Sequence, residues 1–420
     1  MTNVPNFDAV DLWLSVAAKD GSFQDVPQEH RVLAFTYEDN EKKADKIKIS
    51  IANYDLHHID SPIWRKGNII RCGWGDGGIE SPARMGTIDK VTGGLVLKIE
   101  ASGKELDGNK VMIDRALYPN VKRSDVAAIV AKDVFGFTDD QLFIQDSIVK
   151  YDRITHPRMT ASQFLRAMAD RLGWEYYIDF DGFHFHERVL NQKPQLTLRF
   201  HTGEGSDIIT FSFNKSTDAS KPGRIILKGR DPLTKEDIEI IVSNETETGR
   251  DTLGGVVEMP SEEDGENAGD LNAKRVGTTY IIPSTLKDRK SIEQQAKGIF
   301  KRVQLNAISM GLSTRGIPAL LAKATVRIEG IGPTMDGPFY LASVTHKVRP
   351  GPYTCVLKAK RDASSAVAHP VEDPLPGQGD GVTTKGNINN KPTRDPVALN
   401  PKKNPDGSTE FFEPGREINL

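Results

Sequence analysis

Between residues 32 and 51 the chain reads as two strands and a turn. Val32, Ala34 and Thr36 alternate with Leu33, Phe35 and Tyr37, and further on Ile47, Ile49 and Ile51 alternate with Lys46, Lys48 and Ser50. The second run keeps a strict period of two, which puts three isoleucines on one face of a strand and three polar side chains on the other. The polar stretch 38–44 between the runs predicts a hairpin tip. More β-prone runs follow at 68–74, 86–91 and 95–101, each fenced by glycine, so residues 1–105 are expected to form a small barrel or sandwich.

The period changes over 106–192. Ser124 is placed to cap a helix whose Val126, Ile129, Val130 and Val134 share a face, with Gly136 just past its end. Thr160 and Gln163 have the spacing of a capping box. Behind them Phe164, Leu165, Met168 and Leu172 recur at three- and four-residue steps, the stripe of a helix packed on a core, and Gly173 stops it. Runs at 174–180 and 183–187 flank Asp181-Gly182, a two-residue turn signal.

From 193 to 362 strands return, at 195–200, 208–214, 224–228, 238–242, 324–329, 339–348 and 353–359. A polar loop over 243–276, with Glu262, Glu263, Asp264 and Glu266, interrupts them, as does a helix over 291–306 whose apolar face is Ile292, Ala296, Ile299, Phe300 and Val303. This region is expected to be a second barrel. Over 363–420 hydrophobic periodicity is lost, and too little apolar surface remains to offset ordering the backbone. Phe411, Phe412 and Leu420 are its sticky points, so the segment reads either as an extended arm docking through them or as plain disorder. The expected fold class is β-rich α+β: two tube-like β-barrels, an intervening helix-plus-hairpin domain, and a disordered or extended C-terminal arm.

A chain of 420 residues can build two or three such cores. No run approaches the ~18 apolar residues of a membrane helix, and the N-terminus lacks a secretory pattern, so cytoplasmic synthesis is expected. Two cysteines, Cys72 and Cys355, are too few for a disulfide framework or a zinc site of paired cysteines, and both read as small buried hydrophobes. The net charge of −3 is not that of a protein gripping nucleic acid through phosphates.

Sharper chemistry finds little support. His184 and His186 stand two apart on a strand and share a face with metal-site potential, but no third ligand has useful spacing, which leaves cross-strand packing. His57 and His58 are adjacent, so they point apart and read as loop residues. The run Gly73-Trp74-Gly75-Asp76-Gly77-Gly78 lacks the following helix of a dinucleotide fingerprint and predicts a sharp turn. No nucleophile elbow and no glycosidase-like carboxylate pair stands out, so a peptidoglycan hydrolase is the weaker, enzymatic alternative. No cofactor is expected.

The ordered series of elements resembles the phage late control D family, the contractile-tail baseplate hub proteins that form the hub part of valine-glycine-repeat spike proteins. The resemblance runs through Ala44-Asp45 and the Ile47/Ile49/Ile51 strand, Asn53-Tyr54-Asp55, the Trp64, Gly67, Ile69, Ile70, Gly73 pattern, Gly86-Thr87-Ile88 and Leu97-Lys98-Ile99. It continues over 124–136, 159–187 and 292–304. It ends in a closing strand where Gly337, Phe339, Tyr340, Leu341, Val344 and His346 stand in the family's pattern.

The resemblance implies a non-enzymatic virion component. Three copies, each with two tube-like barrels, would present six barrels in a ring that matches a trimeric central spike to a hexameric tail tube and starts tube assembly. Interfaces on the order of 2,000 Å² follow from such a ring. It further implies that the spike is a separate polypeptide, that tape measure and baseplate wedge proteins lie nearby, and that DNA passes without specific binding. A secretion-system spike base delivering effectors is the alternative within the same structural family. Glu41, Lys42 and Lys43 at the hairpin tip, with Lys46, Lys48 and Ser50 on the polar face, are the expected tube, lumen or subunit contacts.

Overall fold

The computed structural model describes residues 10–17, 22–27, 30–76, 79–110, 112–113, 116–179, 181–190, 193–200, 206–215, 224–230, 234–243, 246, 253, 279–284, 289–332, 335–362, 402–403 and 409–410. The first region supplies β1 (Asp11–Ala17), β2 (Phe23–Asp25), β3 (Val32–Asn40), β4 (Lys46–Ala52), β5 (Ile69–Asp76), β6 (Ile79–Glu80), β7 (Arg84–Gly93) and β8 (Val96–Ser102). The middle region supplies α1 (Glu105–Lys110), β9 (Met112–Ile113), β10 (Ala116–Lys122), α2 (Arg123–Phe135), β11 (Leu142–Ile144), β12 (Lys150–His156), β13 (Met159–Thr160), α3 (Ala161–Leu172), β14 (Trp174–Ile178) and β15 (Phe183–Glu187). The last region supplies β16 (Thr197–Arg199), β17 (Ile208–Lys215), β18 (Arg224–Arg230), β19 (Asp237–Ser243), β20 (Thr279–Pro283), α4 (Arg289–Gln304), β21 (Ile308–Arg315), β22 (Thr325–Glu329), β23 (Gly337–Val348) and β24 (Tyr353–Arg361).

Strands from the two ends of the chain share one 14-stranded sheet, ordered β17-β21-β24-β23-β3-β4-β8-β7-β5-β1-β2, with β22 branching from β23, β16 from β22 and β6 from β5. The join is antiparallel pairing of β23 with β3, from Ser343 opposite Asn40 to Val348 opposite Phe35. One apolar core lies under both sets of strands. It contains Phe35, Ile47, Ile49, Ile51, Trp74 and Ile99 from the first and Met310, Leu312, Val344 and Leu357 from the second. The predicted alternation in β4 is seen directly, with Ile47, Ile49 and Ile51 buried and Lys46, Lys48 and Ser50 half-buried on the other face.

A chain of polar groups crosses this core. The indole N–H of Trp74 donates to the Tyr353 hydroxyl at 2.8 Å, which lies 2.8 Å from His346 Nδ1. His346 Nε2 meets the Leu320 carbonyl at 3.0 Å. That carbonyl only accepts, so the proton sits on Nε2 and the Tyr353 hydroxyl donates to Nδ1. The imidazole is neutral, and burial lowers its pKa to about 4. Both cysteines are free and buried.

The middle region has a core of its own, in which α2 and α3 pack on the β11-β15-β14 sheet through Val126, Val130, Phe164, Leu165, Phe183 and Phe185. The box at α3 forms, with the Gln163 N–H on Thr160 Oγ1 at 3.3 Å and the Thr160 N–H on Gln163 Oε1 at 3.3 Å. Gly173 closes α3 in the left-handed region at φ 71°. Ser124 is not the cap of α2. That helix starts at Arg123, the Lys122 N–H donates to Asp125, and the Ser124 hydroxyl donates to Asp146 instead.

Residues 193–362 hold two packing units. While β17 and β21–β24 extend the large sheet, β19-β18-β20 form a separate three-stranded sheet covered by α4 through Ile225, Leu227, Ile292, Ala296 and Phe300. The C-terminus of α3 meets α4 backbone to backbone. A Cβ on Gly298 would lie 2.6 Å from the Gly173 nitrogen, and one on Gly173 would lie 2.4 Å from the Gly298 Cα.

Candidate functional site

The outer face of β3 and β4 is polar because the core takes the alternate side chains. Across the strands it forms rows: Lys347 opposite Thr36, Thr36 opposite Lys48, Lys48 opposite Glu100, and Glu100 opposite Lys90. The next row sets Thr345, Glu38, Lys46 and Ser102 side by side. Ser50 lies opposite Lys98. Lys48 and Glu38 pair at 2.5 Å with side chains 42% and 35% exposed, so water screens them. Lys42 and Lys43 are exposed at the hairpin tip.

Glu41 does not join that surface, contrary to the sequence expectation. It is buried, with Lys360 at 2.5 Å and Arg188 at 4.0 Å. The hairpin end turns it inward because two cations from distant parts of the chain converge there. Arg188 also lies 3.8 Å from Glu175, which accepts from the Tyr340 hydroxyl at 2.9 Å. Beside this group, Lys323 is enclosed by Asp39 and Asp45, the latter at 3.8 Å. The Ala322 N–H donates to the second Asp39 oxygen at 3.0 Å, and Tyr37 donates to Asp45 at 2.5 Å. The Lys323 ammonium also sits 4.9 Å from the Tyr177 ring centroid, on β14. Burial pushes the Asp45 carboxyl up to about 6, against the pull of Lys323.

These charges form a seam between the large sheet and the middle region. They were missed in the sequence because Asp39 and Lys323 are 284 residues apart and Glu41 and Lys360 are 319 apart. Lys323 at φ 63° is the one local sign of an over-determined position, and it is visible only in the backbone.

The histidines take structural places. His184 stacks on Phe143 and Tyr177 at 4.6 and 4.4 Å and contacts Asp179 at 3.0 Å, while His186 lies 3.5 Å from Glu175. His58 is buried against His30 at 4.1 Å and His57 is exposed, so adjacent imidazoles do point apart. Gly75 and Asp76 enter the hairpin of β5 and β6. Among the described residues no group of three or more His, Cys, Asp or Glu is placed to hold a metal, and no helix is long and apolar enough to cross a membrane. Phe411, Phe412, Leu420 and nearly all of 243–276 lie outside the described residues.

No protein-family model matches the chain, and no curated protein matches it in sequence. Solved structures do. The 43 kDa tail protein of prophage MuSo2 from Shewanella oneidensis superposes with a TM-score of 0.58 at 15% identity, over 83% of this chain and 98% of that one. The tail protein from Neisseria meningitidis MC58 gives 0.58 at 13%, over 84% and 98%. The E. coli c3393 protein, a type VI secretion system component with structural similarity to the T4 bacteriophage tail proteins gp27 and gp5, gives 0.51 at 8%, over 80% and 75%. The chain is thus β-rich with the fold of phage tail proteins, a fold shared with a secretion-system component.

Proposed function

We propose that this chain is a non-enzymatic hub subunit of a contractile phage tail baseplate or related injection particle. Its likeness to tail proteins over nearly their whole length carries the reading. In this reading three copies form a ring. The strands of 11–102 and, from the last region, β17 and β21–β24 are two wall units per chain, so that six units face a hexameric tube and a threefold face receives the spike. The edge-to-edge join of β3 with β23 supports two wall units side by side in one subunit. Lys42, Lys43, Lys46, Lys48 and Ser50 form the face turned to the lumen, the tube or a neighbouring subunit, and Phe411, Phe412 and Leu420 dock the C-terminal arm on a partner. Tape measure and wedge proteins are further neighbours. The secretion-system alternative draws on c3393, and tail genes beside this reading frame would decide against it.

The test is mass in solution. Light scattering on the purified chain, alone and with its spike, is expected to return three times 46.3 kDa. A monomer or hexamer under both conditions overturns the ring.

A further inference from the structure

The net charge of −3 hides a segregation. The outer face of β24, β23, β3, β4, β8 and β7 carries six lysines: Lys46, Lys48, Lys90, Lys98, Lys347 and Lys358. Three carboxylates share it. Glu38 pairs with Lys48, Glu100 lies 3.6 Å from Lys90, and Asp89 accepts from the Ser102 hydroxyl. Among the described residues no ion pair engages Lys46, Lys98, Lys347 or Lys358. The remaining positions are mostly hydroxyl-bearing, including Thr36, Ser50, Thr92 and Thr345.

We propose that this face is a sequence-independent binding surface for the phosphate backbone of double-stranded DNA. The inference deepens the hub reading and rests on it for bringing DNA within reach. In the central row, Lys347, Lys48 and Lys90 stand on every second strand, roughly 10 Å apart at the usual strand spacing, with Thr36 and Glu100 between them, and the four lysines outside any ion pair flank or end this row. The six strands span roughly 24 Å, enough to underlie a duplex. Lysine heads supply charge and threonine and serine hydroxyls supply hydrogen bonds, the two kinds of contact that hold phosphates without reading bases.

Two other occupants fit less well. A protein interface concentrates aromatic and apolar side chains at its centre and is depleted in lysine there, whereas the centre of this face is Thr36, Lys48, Glu38 and Lys46. A single strand is held by stacking on aromatic rings, and these rows carry none.

The experiment is fluorescence anisotropy of a labelled duplex of about 30 base pairs titrated with the full chain across salt. Micromolar affinity is expected at about 50 mM salt, roughly a hundredfold weaker at 200 mM, as about four phosphate contacts give. The triple variant Lys46→Ala, Lys98→Ala, Lys347→Ala, which removes three of the four lysines without an ion pair, should bind at least tenfold more weakly on duplexes of any sequence, with the salt slope reduced by about three. The control triple Lys110→Ala, Lys132→Ala, Lys150→Ala loses the same charge from the middle region and should stay within about twofold; thermal melts confirm that both fold.

Absence of binding at 50 mM overturns the proposal, as does equal weakening by the control. Tighter binding of a single strand, or equal competition by poly-glutamate, also overturns it. A trimer that ignores the duplex removes this inference and leaves the hub reading; a monomer that binds it removes the hub reading and leaves the surface.

Discussion

The two faces of β3 handle charge by opposite rules. Inward, Asp39 is 1% exposed and closed on Lys323, with a backbone N–H on its other oxygen. Outward, one residue earlier, Glu38 meets Lys48 in water. The inner pair holds two distant pieces of chain in one geometry, because neither charge tolerates the loss of its partner once desolvated. The outer pair constrains little, and its lysines remain available to something outside the subunit. A carboxylate and an ammonium are therefore structural on one side of a strand and open to outside contact on the other, and burial decides which.

The comparison breaks most visibly at Lys323. Lys323→Met keeps the stem but strands Asp39, so urea unfolding should show a loss of about 3–5 kcal/mol, with Asp39→Asn recovering part of it in the double variant. If the single variant costs under about 1 kcal/mol, the seam is not the lock described.

A smaller effect separates the buried groups by pH. With His346 held near 4 against an ordinary value of 6.5, the unfolded chain takes its proton first, so stability falls as pH drops from about 6.5 towards 4, by roughly 3 kcal/mol. Asp45, raised to about 6, has the reverse sign: its contribution is present at low pH and lost as pH rises through 6. His346→Gln should flatten the acid loss and Asp45→Asn should steepen it. Identical slopes in both variants and the parent would contradict this assignment.

The smallest effect sharpens the outer side. Lys48→Ala should change stability by no more than about 0.5 kcal/mol in the same unfolding assay, since its partner is half in water.

What the sequence revealed follows the same division. Features set by near neighbours were legible: the alternation of β4, the box at Thr160 and Gln163, the left-handed stop at Gly173, and the hairpin of β14 and β15. In that hairpin, however, the first strand ends at Ile178, and Gly182 accepts from the Asp179 N–H instead of sitting at the centre of a two-residue turn. β1 was missed because Leu12, Trp13, Leu14 and Val16 are apolar on both faces and show no period; Trp13 lies over Arg71 rather than in water. The pair β10 and β12 was missed for the opposite reason, since its exposed pattern buries too little to mark a face. Glu41 read as solvent because its local run is charged, and only Lys360 and Arg188, brought in by tertiary folding, make it internal. The lysine face was half legible. One strand's worth of it was in the period of two, but its breadth depends on which strands are neighbours.

The contact between Gly173 and Gly298 has a mechanical consequence. Two backbones that touch with no side chain between them have nothing soft to compress, so a displacement of α4 passes directly into the end of α3 and on to β14. A methyl group at either position would act as a shim, tilting the small sheet with its helix away from the rest of the subunit and adding slack at a joint that has none.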